Sequence, residues 1–287
     1  MRLFVFGIGY SAGACLSELK PHCEWIGGTT RSDEKASSLS AGGIEPFVFD
    51  GITPSAQIAS AVDNATHILV SIAPGEQGDP VLGAFGNTLK RFDGEWIGYL
   101  STVGVYGNHD GAWVNEETEC RPVSKRSRWR FDAENAWLEL ARQTGVPTGI
   151  YRLSGIYGPG RNTFVNFQKG TARRLVKPDQ VFNRIFVDDI AGAVAASIKT
   201  PATRIYNITD NEPAPPQDVV TLAAELLGVE PPAEIPFETA DISPMARSFY
   251  GENKRVSNRR VREELGYTFK YPDYRMALQH LFENGWR

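Results

Sequence analysis

Short apolar and β-branched runs recur along the first half of the chain, each followed by turn residues and then by a stretch with helical spacing. The runs predict strands at 3–6, 23–30, 44–49, 66–72, 96–101 and 148–153, with helices at 11–20, 54–62, 80–91 and 128–143. In the last helix Ala133, Ala136, Trp137 and Leu140 fall at i, i+3, i+4 and i+7, so that face is expected to pack on a sheet. This alternation predicts an α/β fold of Rossmann type, a doubly wound parallel sheet with helices on both faces. After residue 160 prolines become frequent (Pro201, Pro213, Pro215, Pro216, Pro231, Pro232, Pro236) and shorter helices are expected. We therefore expect a main domain over 1–160, with 184–208 returning to it through a strand at Arg204 to Ile208. A smaller C-terminal α/β substrate lobe would comprise 161–183 and 209–287, with helices at 257–265, stopped by Gly266, and at 272–282.

Composition narrows the function classes. The chain has 287 residues and a formal net charge of −4, which argues against a nucleic-acid partner. No stretch is apolar for long enough to span a membrane. Met1 leads directly into a strand without the apolar segment of a secretory signal. Cys15, Cys23 and Cys120 are an odd number without metal-ligand spacing, and the four histidines form no His-x-x-x-His pair. Reduced thiols, a cytoplasmic location and no metal are the expectation.

Directly after the first strand stands Gly7-Ile8-Gly9-Tyr10-Ser11-Ala12, a Gly-x-Gly-x-x-Gly/Ala run that opens a helix. Gly7 permits the tight turn, Gly9 lets backbone approach a pyrophosphate, and Ala12 lets the helix pack closely on the strand. The helix N-terminus offers free N–H groups and a positive dipole end to phosphates. The second strand ends Thr29-Thr30-Arg31-Ser32. A guanidinium and hydroxyls there suit the 2′-phosphate of NADP, whereas an NAD site usually has a carboxylate. Asp33 would take the NAD role if the turn were tighter. Asp50, at the end of the third strand, is placed either to meet the adenine edge or to cap the next turn, and Ser71 lies near the cofactor path.

With the segments Tyr99-Leu100-Ser101-Thr102-Val103-Gly104-Val105-Tyr106-Gly107, Tyr151-Arg152-Leu153-Ser154-Gly155-Ile156-Tyr157-Gly158-Pro159-Gly160-Arg161 and Arg184-Ile185-Phe186-Val187-Asp188-Asp189-Ile190-Ala191, this turn makes four blocks in order. Together they resemble the extended short-chain dehydrogenase/reductases, the NAD-dependent epimerase/dehydratase family, with Phe186 where histidine is common. The resemblance implies chemistry by a Ser or Thr after the fifth strand and by a Tyr-x-x-x-Lys helix. Thr102 matches the first. Registered on Ala133-Glu134, the helix has Arg126 in the tyrosine position and Arg130 in the lysine position, and no tyrosine stands between Tyr106 and Tyr151. The chain is thus an atypical member without the Tyr/Lys pair.

Arginine, with a pKa above roughly 12, cannot act as the proton donor. It can hold an anion. Arg121, Lys125, Arg126, Arg128 and Arg130 form a basic run, read either as a solvated face or as an anion site in which Arg126 and Arg130 share one side of the helix. Arg152, Arg161 and Arg184 are candidates for substrate binding. Tyr106, Tyr157 and His109 are candidate acids, each with an alternative structural role. Two readings follow: an NAD(P)-dependent oxidoreductase or epimerase acting on a small anionic substrate, or a non-catalytic NADP(H)-binding sensor. The resemblance also implies a homodimer through helices flanking the sheet.

Overall fold

The computed structural model describes residues 1–287, the side chain of Met245 excepted. In chain order the first strands are β1 (Arg2–Phe6), β2 (Trp25–Thr30), β3 (Glu45–Val48), β4 (His67–Val70), β5 (Trp96–Thr102), β6 (Trp113–Val114) and β7 (Thr148–Leu153). They are followed by β8 (Gly155–Tyr157), β9 (Arg174–Val176), β10 (Arg184–Phe186), β11 (Arg204–Ile208), β12 (Glu234–Pro236) and β13 (Arg255–Val256). The helices up to the cleft are α1 (Tyr10–Leu19), α2 (Asp33–Ala41), α3 (Ala56–Asp63), α4 (Pro80–Leu89), α5 (Lys125–Thr144) and α6 (Thr163–Gln168). The remainder are α7 (Val187–Lys199), α8 (Pro216–Leu227), α9 (Pro244–Phe249), α10 (Arg259–Glu264) and α11 (Tyr274–Asn284).

Seven of the strands form one parallel sheet in the order β11-β7-β5-β4-β1-β2-β3. Strict alternation along β1 sends its side chains to opposite faces. Leu3 and Val5 join the core with α1 and α7, and Phe4 and Phe6 join the core with α3, α4 and α5. Burial on both faces makes the central strands β1 and β4 read as continuous, largely apolar runs. The order reverses direction at β1, between β2 and β4, which opens a crevice at the carboxyl ends of the strands.

The later strands pair separately, β8 with β10, β9 with β12 and β6 with β13, and a third core forms around Phe164, Phe186, Val219 and Leu278. The helices after residue 160 are not uniformly short. α7 has 13 residues, and Ile190, Ala193 and Val194 bury it in the main core with α1. Among the described residues no helix is long and apolar enough to cross a membrane.

The sequence pattern misses α2. None of its residues is buried, so no apolar stripe marks it, and Ser32 caps it by accepting from Lys35 N–H at 3.4 Å. α5 begins three residues earlier than its apolar period suggests, because Ser124 Oγ accepts from Ser127 N–H at 3.0 Å. Its inward stripe also differs from expectation. Ala136 is exposed, while Glu134 is buried and accepts from Ser101 Oγ and from Arg152 Nη2, the latter at 2.8 Å. The helix at 257–265 is shorter than expected, Arg259–Glu264, and no side chain caps it.

Candidate functional site

The glycine turn lies at the crevice. Gly7 has φ +86°, and a Cβ there would lie 2.7 Å from Ile72 Cγ1, so only glycine fits. Its N–H donates to Thr29 Oγ1 at 2.8 Å, and Ile8 N–H donates to the Thr29 carbonyl at 3.0 Å. The Thr29 hydroxyl thereby ties the turn to β2 instead of facing a phosphate. Gly9 is the N-cap of α1, no side chain caps that helix, and a Cβ on Gly9 would meet no protein atom within 4 Å. The uncapped N–H groups and the open space over Gly9 form a cradle that fits a dinucleotide pyrophosphate. Ala12 is fully buried against the sheet and Ser11 nearly so. Tyr10 reaches across to the far wall, donating from Oη to the Pro159 carbonyl at 2.9 Å, with the Arg161 guanidinium 5.9 Å from its ring centre.

At the end of β2, Thr30 is buried, whereas Arg31 and Ser32 are exposed. Lys35, a residue that the sequence reading missed, donates from Nζ to the Ile8 carbonyl at 2.6 Å. It brings a cation from the first turns of α2 to the glycine turn. Asp33 is exposed at the start of α2. Asp50 caps the turn after β3, accepting from Thr53 N–H at 2.8 Å, Ile52 N–H at 2.7 Å and Thr53 Oγ1 at 2.8 Å. These bonds hold its carboxyl below the usual range. Ser71 is half-buried beside the turn, its N–H donating to the Phe6 carbonyl at 2.9 Å.

Beyond the end of β5 lies a cleft of about 900 Å³, lined by Thr102, Val103 and Gly104 on one side and by β8, β10 and the 246–254 segment on the others. Thr102 Oγ1 accepts from Gly104 N–H at 3.1 Å, which leaves its hydroxyl hydrogen for another acceptor. Arg130 enters the cleft, fixed by donating from Nη1 to Tyr99 Oη at 3.0 Å and to the Leu100 carbonyl at 2.9 Å. Arg126, one turn before Arg130 on α5, is exposed and lies outside the cleft lining, so of the two arginines only Arg130 meets the cleft. Arg161 and Arg184 line the cleft. Arg184 Nη1 donates to the carbonyls of Phe182 and Ala214, each at 3.0 Å. Arg152 is placed differently from the sequence expectation. It is buried in its ion pair with Glu134, 4.8 Å below the Tyr106 ring centre, and does not line the cleft.

Burial pushes the pKa of both candidate tyrosines up. Tyr157 lines the cleft, but its Oη is sealed from solvent without a hydrogen-bond partner, and burial followed by the charge of Asp210 pushes its pKa up. Burial raises Tyr106 to about 12, and its hydroxyl donates to Asn207 Oδ1 at 2.8 Å. His109 Nε2 sits 3.0 Å from the Tyr106 carbonyl, outside the cleft lining. The cleft contains a group that no motif announced. Lys254 is 6% exposed, with Nζ donating to the Gly107 carbonyl at 2.8 Å and to Glu252 Oε2 at 2.6 Å. Among the described residues no cluster of His, Cys, Asp and Glu could hold a metal ion.

No family model matches the chain. It is 33% identical over 180 residues to protein YeeZ of Escherichia coli K12, a match covering 61% of this chain and 58% of YeeZ. Among solved structures, a conserved protein of unknown function from Silicibacter pomeroyi is 46% identical, with TM-score 0.89 over 99% of this chain and 98% of that one. An NAD-dependent epimerase/dehydratase-like protein from Methylobacillus flagellatus is 25% identical, with TM-score 0.74 over 98% and 97% of the two chains. Human epimerase family protein SDR39U1, solved with NADPH, shares the fold at 17% identity and TM-score 0.76, over 99% and 100%. With the glycine turn at the switch point and Thr102 at the end of β5, the chain shares the Rossmann-type fold of these proteins and is similar to the NAD-dependent epimerase/dehydratases among them.

Proposed function

We propose that this protein is an NADP-dependent oxidoreductase that acts on a small anionic carbonyl compound. The observation that carries this reading is the positive charge beside the glycine turn and along the cleft wall. Arg31 and Lys35 stand exposed beside the open glycine turn, and Arg130, Arg161 and Arg184 line the cleft that meets it at Tyr10. Gly7 to Ala12 would hold the pyrophosphate, and Arg31, Ser32 and Lys35 the 2′-phosphate. Thr30, Asp50 and Ser71 would shape the remaining wall. The bound nicotinamide supplies hydride chemistry. Within the cleft the Thr102 hydroxyl donates to the substrate carbonyl oxygen, and Arg161 and Arg184 attract its negative group. The NADPH carried by the human protein of the same fold supports the cofactor reading. A cytoplasmic location, a homodimer through the helices flanking the sheet and the absence of nucleic-acid binding belong to the same proposal.

Calorimetric titration with NADPH, NADP, NADH and NAD tests it, repeated on Arg31→Ala. One charge-assisted contact is worth about 1.5–3 kcal/mol, so the variant should lose roughly 10- to 100-fold in NADPH affinity and little in NADH affinity. If none of the four binds, the reading falls. Tight binding without hydride transfer to any anionic carbonyl compound would favour the sensor reading, which requires partner affinity to differ between oxidised and reduced cofactor.

A further inference from the structure

Resting on that reductive reading, we infer that Lys254 is the proton donor of the cleft, its ammonium taking the part that a tyrosine plays in the family the chain resembles. The groups lining the cleft leave few alternatives. Arg130, Arg161 and Arg184 cannot release a proton near neutral pH. Tyr157 and Tyr250 are pushed up by burial, and Lys169 stands exposed at the rim. The Lys254–Glu252 pair remains. A lysine ammonium can serve as a general acid, as a phenol can. Its charge also favours an oxygen that is becoming negative.

The geometry supports the assignment. Gly107, whose carbonyl accepts from Lys254 Nζ, ends the short helical turn at Val103–Tyr106 that opens from Thr102, so the lysine is anchored to the turn that presents the threonine. An ammonium has three N–H bonds, and Gly107 and Glu252 take two. The segment is rigid. Asn183 Nδ2 donates to the Lys254 carbonyl at 2.9 Å, Asn183 Oδ1 accepts from Val256 N–H at 2.8 Å, and Gln180 Nε2 donates to the Glu252 carbonyl at 2.8 Å.

In the reaction the substrate carbonyl carbon gains a hydride from reduced nicotinamide dinucleotide and the carbonyl π pair moves onto oxygen. One Nζ–H bond breaks as the O–H bond of the alcohol forms. The neutral amine regains its proton from water on the Glu252 side, where that side chain is 16% exposed.

The test follows oxidation of NADPH by 4-formylbenzoate, an anionic aldehyde, between about pH 6 and pH 10, for wild type, Lys254→Arg and Lys254→Met. Calorimetry measures the affinity of each protein for NADPH and for 4-formylbenzoate. Lys254→Arg can keep both acceptors and the charge but cannot give up a proton, so it decides the matter even if Lys254→Met fails to fold. We expect Lys254→Arg to bind both ligands within about threefold of wild type and to lose about 10²- to 10³-fold in rate. Lys254→Arg turning over within about fivefold of wild type overturns the assignment while leaving the oxidoreductase reading intact. A wild-type protein that binds NADPH but oxidises it with neither 4-formylbenzoate nor pyruvate overturns both.

Discussion

Removing the carboxylate of Glu134 tests how α5 is held to the sheet. Glu134 is 1% exposed and Arg152 3%. The carboxylate accepts from Arg152 Nε at 3.2 and 3.1 Å, from Nη2 at 2.8 Å and from Ser101 Oγ. Bonds to charged groups are worth about 1.5–3 kcal/mol each, which bounds the gross interaction, and relaxation and water entry reduce it. For a buried pair that loses one partner the expected cost is about 3–5 kcal/mol. Glu134→Ala should therefore lower unfolding stability by that amount and the melting temperature by about 6–10 °C. Urea unfolding followed by tryptophan fluorescence reads it, because Trp137 lies fully buried one turn further along α5. The cost comes from an uncompensated guanidinium, so the double variant Glu134→Leu with Arg152→Met should regain most of the loss. A Glu134→Ala effect below about 1 kcal/mol at unchanged denaturant slope, or a double variant no better than the single, would refute the reasoning.

Two further predictions follow from the site and the buried acids. Gly9→Ala should leave unfolding stability unchanged, since its methyl meets no protein atom within 4 Å, yet weaken NADPH at least tenfold in calorimetry, or about 1.4 kcal/mol, whereas Gly7→Ala should lose stability as well because of its φ of +86°. Asp210 is 1% exposed, and burial raises its carboxyl well above the usual value, with Oδ2 left unpartnered. The folded state then binds the proton more tightly than the unfolded one. The stability Asp210 contributes is complete below the unfolded pKa of about 3.9 and is lost as pH rises through the folded value. Asp210→Asn should flatten this slope in urea unfolding between acidic and mildly alkaline pH. An unchanged slope would show that Asp210 does not cause it.

The legible parts of the chain are those whose physics is local. The central strands are largely apolar on both faces and the glycine turn needs its residues consecutively, so each can be read from a few positions. The misses lie where the partner is distant in sequence. α2 has no buried face and is made by its cap and its exposed polar surface, which an apolar period cannot register. The inward position of α5 was assigned to Ala136 on hydropathy, but it belongs to Glu134, whose burial makes sense only beside Arg152 and Ser101 on two other elements. Arg152 itself read as a free cation for the same reason. Lys254 is the extreme case: its acceptors are a backbone carbonyl 147 residues away and Glu252 two positions before it, in a segment with no motif. Counting charges identified a cationic cleft, but which cations are free to meet a ligand depends on pairing. Pairing removes Arg152 from the cleft and brings Lys254 into it. The residues that decide which charges face this cleft are therefore the ones composition is least able to rank.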